Sequence, residues 1–361
     1  MSGDADNYET ALKTSSSETV AAFSERKSAL ARVQHALHVT PALVPLFVLV
    51  VSIVIFGLLL GSKFFSPFAL TLILQQVQIV GIVAAAQSLV ILTAGIDLSV
   101  GAIAVLSSVI MGQFTFRYGL PVEVAVAAGL VFGTLIGSIN GWLIAVMKLP
   151  PFIVTLGMWQ IVLAANFLYS KNATIRSQDI EAEAPLLQFL GTTFKIGADV
   201  DGRGGASFTY GVIAMVLIFA ILSYVLSQTA WGRHVYAVGD DAEAAQLSGV
   251  NVKATLISVY AVTGFICAIA GWALIGRIGS VSPTSGQLLN IESITAVVIG
   301  GISLFGGRGS IMGPLFGALI VGVFTLGLRL AGADAQWTFL LIGALIIGAV
   351  AVDQWIRKVS A

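Results

Sequence analysis

The chain has 361 residues, of which 57% are hydrophobic and only 10% are charged, and its mean hydropathy is +0.96. A soluble domain carries about a quarter of its residues as charges to cover its surface, so the solvent for most of this chain is lipid. The 18 basic and 18 acidic residues cancel to a net charge of zero, which removes the basic face that nucleic acid requires.

Residues 1–40 are polar and mixed in charge. A secretory leader would place its apolar core nearer the start and follow it with a small-residue cleavage site. The segment therefore reads as a cytoplasmic tail. His35 and His38 stand within it, and two ligands alone make a poor metal site. No metal is expected.

Crossing a hydrocarbon core of about 30 Å takes about 20 apolar residues of helix. In lipid the backbone must satisfy itself, so such runs are helical. Ten runs fit, at residues 43–61, 69–93, 99–116, 122–146, 152–169, 209–228, 254–278, 291–305, 311–331 and 336–355. The fold class is thus an all-α integral membrane protein with about ten transmembrane helices, made of the tail and one membrane domain over 41–361. Lys and Arg mark the cytoplasmic side of a membrane protein. Lys13, Arg26, Lys27 and Arg32 precede the first run, and Arg357 and Lys358 follow the last. Both termini are expected inside, with the polar stretch 170–208 outside and residues 229–253 inside.

The second run carries Gln75, Gln76, Gln78 and Gln87, and Gln76 and Gln87 share a helix face. Asn140, Gln160 and Asn166 add amides on other helices. Amides in lipid seek protein or a watery path. Fixed charges are nearly absent from the helix centres, where each costs about 2.5–3.5 kcal/mol on insertion scales. Such a path suits a neutral polar solute rather than an ion. The fourth run carries Gly129, Gly133, Gly137 and Gly141, a continuous groove that lets another helix approach closely.

The stretch 170–208 ends in Asp199-Val-Asp201-Gly202, which opens like a calcium loop but has Tyr210 where the twelfth-position glutamate belongs. Asn172-Ala-Thr174 fits a glycosylation sequon. The single cysteine, Cys267, lies in an apolar run, so neither a disulfide framework nor a thiolate metal site is expected. No catalytic cluster is present, and Gly306-Gly307-Arg308-Gly309-Ser310 lacks the lysine and spacing of a phosphate loop.

Residues 229–252 read as a short surface helix, with Asp240 or Asp241 able to cap its start and Gly249 able to stop it. With Glu243-Ala244-Ala245 at its middle, the segment resembles the coupling segment of binding-protein-dependent ABC importers. Thr93-Ala-Gly-Ile-Asp-Leu-Ser-Val-Gly101 resembles the signature of ribose-type sugar permeases. Asn140-Gly141 with Lys148-Leu-Pro-Pro-Phe-Ile-Val-Thr-Leu-Gly157, and Ala296-Val-Val-Ile-Gly-Gly-Ile-Ser-Leu-Phe-Gly-Gly307, resemble two further blocks. The four ordered blocks identify the chain as similar to the ribose- and fructose-type monosaccharide ABC importer permeases.

That resemblance implies a vitamin B12-importer (type II) arrangement in a bacterial inner membrane. It implies a permease pair, most simply a homodimer, and ATPase subunits docked on the coupling loop. It also implies a periplasmic binding protein that delivers a monosaccharide, fructose or ribose. This chain would hold no cofactor, perform no chemistry and leave ATP hydrolysis to its partners. Coupling falls to Arg233, Asp241, Glu243, Ala244, Ala245 and Gly249, although Arg233 equally suits lipid phosphates. The translocation path is sought among Gln76, Gln87, Asp97, Ser99, Asn140, Gln160, Asn166 and Glu292. Asp97 is expected foremost to cap the third helix, Glu292 to complement a helix dipole, and Pro150-Pro151 to start a helix. Relatives often have Gly-Asn at Asp240-Asp241, Glu-Leu-Asp at Asn290-Ile291-Glu292, and an arginine after Gly157 that is missing here. The rival reading, an ion-coupled secondary sugar transporter, calls for titratable groups in mid-membrane.

Overall fold

A computed structural model describes residues 42–198 and 204–360. Residues 1–41, 199–203 and 361, and with them the tail, His35, His38, Asp199 and Asp201, lie outside the described residues. The apolar runs fold as helices, in chain order α1 Leu43–Leu60, α2 Pro67–Leu92, α3 Val100–Phe116, α4 Val122–Ala145 and α5 Pro151–Ser170. The short α6 Ser177–Glu183 leads through a 3-10 turn, Pro185–Gly191, to strands β1 Thr193–Ala198 and β2 Gly204–Thr209. Then come α7 Tyr210–Gln228, α8 Ala230–Asp240, α9 Ala242–Leu247, α10 Val252–Ile278, α11 Leu289–Ile299, α12 Met312–Leu330 and α13 Ala335–Ser360.

Among the described residues, seven helices are long and apolar enough to cross a membrane, and three shorter apolar helices, α3, α11 and part of α13, accompany them. Ser66 opens α2 by accepting the Ala69 N–H, with Pro67 in the first turn. Pro151 likewise opens α5. Gly61 ends α1 at a positive φ of 56°, and Gly279 ends α10 at 79°.

α2 is the hub. Every residue from Val77 to Thr93 is buried, because α7, α10, α11 and α12 all pack on it. The glycines of α4 lie against α10: a Cβ at Gly133 would stand 2.8 Å from the Ala268 Cβ, one at Gly141 would stand 2.8 Å from the Ile257 Cα, and one at Gly137 would collide with the Tyr260 carbonyl. Gly264 of α10 returns the fit, with no room for a Cβ against Gly133. Without a hydrophobic drive between helices in lipid, such close backbone approach supplies the packing. The opposite faces, with Phe47, Leu58, Leu135, Ile161 and Leu168, are exposed apolar surface suited to lipid.

Three features depart from the sequence reading. The run expected to span 291–305 stops at Ile299, because Gly301, Gly306, Gly307 and Gly309 take positive φ values that a helix does not accept. The stretch 170–208 is partly a two-stranded antiparallel hairpin, β1 on β2, with Phe194 opposite Phe208 and their rings stacked. The stretch was expected only as a polar loop, because it is outside the apolar runs. The segment 229–252 is two helices rather than one, broken where Asp241 turns extended at φ −155°.

The bundle has two recognisable ends. At one end the hairpin is tied to α2, Ser207 donating its N–H to Thr71 Oγ1 (2.8 Å), and the 3-10 turn before it is tied to α10, Gln188 donating to the Gly279 carbonyl (2.8 Å) and Trp272 to the Leu186 carbonyl (3.0 Å). α8 and α9 stand at the other end, one span away through α7.

Candidate functional site

The turn between α2 and α3, residues 93–99, is tethered from several helices. Asp97 is fully buried, and its Oδ1 accepts the Ser99 N–H (2.7 Å) and the Ser99 hydroxyl (2.6 Å). Asn140 of α4 donates to the same Ser99 hydroxyl (3.0 Å). Gln87 of α2 meets the Asp97 backbone twice, its nitrogen donating to the carbonyl (3.0 Å) and its oxygen accepting the N–H (3.2 Å). Thr155 of α5 donates to the Ile96 carbonyl (2.9 Å), and Asn290 of α11 to the Leu98 carbonyl (3.4 Å). Side chains of four helices thus reach one irregular turn, whose first N–H groups bond back to the Val90 and Ile91 carbonyls of α2 and whose remaining buried polar groups demand partners of their own. Asp97 is not the cap of α3: the residue flanking that helix is Ser99, without a side-chain cap bond. The carboxylate instead closes the turn ahead of the helix.

A second group lies nearer the hairpin end. A pocket of about 280 Å³ opens between α3, α5, the turn 283–288 and the start of α11. Trp159, Leu163, Asn166 and Phe167 line it from one face of α5. Asn166 donates to the Pro283 carbonyl (2.8 Å). Gln160 is off this stripe, exposed on the outer surface of α5. A third group joins Gln76 to Arg277, whose guanidinium donates to the amide oxygen (2.6 Å). The charges of Glu292 and Arg329 act on Arg277. Gln76 and Gln87, on one helix, therefore serve different neighbourhoods.

At the other end, Asp241 accepts the N–H groups of Glu243 (2.9 Å) and Ala244 (3.0 Å) and so starts α9. Gly249 follows it at φ 87°. Arg233, Glu243, Ala244 and Gly249 are exposed, while Ala245 is buried. α8 is seated by its backbone. Gly307 donates its N–H to the Leu92 carbonyl (2.9 Å), and Gly239 is so close that a Cβ there would collide with that carbonyl and stand 2.7 Å from the Gly307 nitrogen. Tyr236 adds a bond from its hydroxyl to the Gly309 carbonyl (2.9 Å). The end of α2, the end of α8 and the glycine turn after α11 thus form one junction.

Residues 69–350 match the family described as the branched-chain amino acid transport system permease component. The chain belongs to that permease family. It is 69% identical over 354 residues to the fructose import permease protein FrcC of Rhizobium meliloti, covering 98% of this chain and 96% of that one. It is 37% identical to the ribose import permease protein RbsC of Bacillus subtilis, covering 88% and 92%. It is 32% identical to the xylose transport system permease protein XylH of Escherichia coli, covering 80% and 85%.

This permease is a multi-pass membrane protein and a transport subunit. Its structure draws Gln87, Asp97, Ser99 and Asn140 into one network, puts Asn166 in the pocket, pairs Gln76 with Arg277 near Glu292, and leaves Gln160 apart. Sequence reasoning passed over Thr155, Arg277, Tyr236 and Gly239, and noted Asn290 only as a departure from its relatives. Asn290 and Thr155 carried a signal, as polar residues within or beside apolar runs. Arg277 sits at the end of its run, where it resembled an interfacial anchor. Gly239 had no signal, because its tightness comes from segments far away in the chain.

Proposed function

We propose that this permease is the membrane subunit of an ATP-driven importer that carries a monosaccharide, fructose before ribose, inward across the inner membrane. The observation that carries the reading is 69% identity over 98% of the chain to a protein named for fructose import. The paucity of buried charge along the helices agrees with a neutral cargo. ATPase subunits dock on α8–α9, where a capped, exposed helix stands on a junction reaching the membrane segments. A binding protein delivers sugar at the hairpin end, and two permease copies complete the carrier. Both termini and α8–α9 then face the cytoplasm.

The test is uptake of labelled fructose and ribose by cells with and without the gene. A protonophore is added under conditions that keep ATP high. Gene-dependent fructose uptake that survives the protonophore is the expected result. Uptake that collapses with the proton gradient would replace ATP with ion coupling.

A further inference from the structure

Gln160 is set apart from the other polar residues on the outer surface of the bundle. It is the tenth of the 20 residues of α5, so about 15 Å of helix separates it from either end. It is exposed, and no described residue hydrogen-bonds its amide. Hydroxyls on α4 satisfy themselves: Thr134 and Ser138 donate to the carbonyls of Leu130 and Thr134, each one turn back (2.7 Å). Gln160 has no such bond. An amide turned to lipid without a partner is costly, so a single chain in the bilayer leaves this position incomplete.

Its surroundings narrow what completes it. Around α5, Gln160 falls between the pocket stripe of Trp159 and Leu163 and the apolar edge at Ile161, 64% exposed. Gly157, one turn back, is exposed too. A Cβ at Gly157 would meet nothing within 4 Å, and a glycine inside a helix is less stable than an alanine. Nothing in this chain therefore explains a glycine there. Among the described α-helical glycines, only Gly343 and Gly348 of α13 share that open space. The occupant of this face must bring a donor and an acceptor to Gln160, and a close backbone to Gly157.

A second copy of this chain brings both. In a twofold pair a residue beside the axis meets its own counterpart. A primary amide both donates and accepts, so glutamine pairs with glutamine where two carboxylates or two lysines would repel. Amides that bond across helices are one of the ways helices join in lipid.

We propose that the outer face of α5 is where a second permease copy docks, with Gln160 paired to its counterpart across the twofold axis. The proposal rests on the importer reading, which asks for two copies, and adds which surface joins them. The seam then runs along the edge of the pocket.

The experiment uses the full chain with Cys267→Ala and Gln160→Cys, oxidised by copper phenanthroline in native membranes and run on a non-reducing gel. A disulfide-linked dimer is expected. Leu135→Cys on α4 and Ile221→Cys on α7, 52% and 59% exposed, should stay monomeric in the same background. In detergent, Gln160→Leu should raise the dimer dissociation constant about tenfold, the equivalent of about 1.4 kcal/mol. Gly157→Leu should raise it at least as much and cut uptake of labelled fructose. At dilutions where both are monomeric it should melt with the wild type, since its own chain leaves that space open. Cross-linking at Leu135 or Ile221 but not at Gln160, or a Gly157→Leu dimer as tight as the wild type, overturns the face and leaves the importer standing. Lower uptake by Gln160→Leu with an unchanged dimer gives the amide to a watery path and also overturns the face. Cross-linked dimers whose uptake collapses with the proton gradient keep the face and remove the ATP-driven reading.

Discussion

Asp97 looks like an ion site by residue type, a carboxylate deep in a membrane chain, yet its surroundings are those of a fastener. Both bonds to Ser99 are short, and Asn140 and Gln87 close around them. Asp97→Leu removes two buried bonds and leaves the Ser99 donors stranded. At about 1 kcal/mol for each bond and more for an orphaned donor, the loss should be about 2–4 kcal/mol, read as a lower melting temperature of the purified protein in detergent. Asp97→Asn keeps the Oδ1 acceptor and should melt close to the wild type. An equal fall for both variants would show that the charge, not the turn, matters. The signature around Asp97 was legible as a pattern, and so was its likeness to sugar permeases. Its purpose was not, since Thr155 and Asn290 reach the turn from positions 58 and 193 residues beyond Asp97, and linear spacing records no such meeting. Gln160 and Asn166 illustrate the same limit on one helix. Both are amides in an apolar run, but only Asn166 lies on the face turned to α3 and the turn before α11.

At the scale of elements, α8 and α9 would divide the labour of coupling in the proposed importer. α9 is exposed and would be the docking face, while α8 presses its end onto α2 and the turn after α11. Gly239→Ala should overpack that contact at a cost of about 1–3 kcal/mol, lowering sugar uptake about tenfold or more while the ATPase still copurifies with the permease. Normal uptake in that variant would remove the junction from the coupling path. Tyr236→Phe, which loses only the bond to Gly309, should lower the melting temperature by the equivalent of about 1 kcal/mol. The capped start of α9 could be read from Asp241 and Gly249 alone. The break that makes two helices could not, because Asp241 serves at once as the end of α8 and the cap of α9.

For the whole molecule, apolar run lengths placed the helices well, since lipid leaves the backbone few alternatives. They failed at the glycine turn after Ile299, where positive φ values outweighed hydropathy, and at the hairpin, which packs on protein rather than lipid. The single span α7 separates the hairpin from α9, so these two must lie on opposite sides of the membrane. Ile196, 56% exposed on the hairpin, and Leu247, 90% exposed at the end of α9, give the handles to test this. The native Cys267 is buried and contributes little background. In intact cells an impermeant maleimide should label Ile196→Cys, and should reach Leu247→Cys only after the inner membrane is opened. The reverse pattern would invert the orientation of the whole chain.

The junction of Leu92, Gly239 and Gly307 is made by main chain alone, and the exposed side chains of α9 take no part in it. In the proposed importer, recognition of the motor and transmission of its stroke would therefore be separately heritable. A lineage can rewrite residues 242–247 to suit a different motor while the gear beneath remains untouched. An engineer could do the same, re-addressing this permease by transplanting α9 and leaving its membrane helices as they stand.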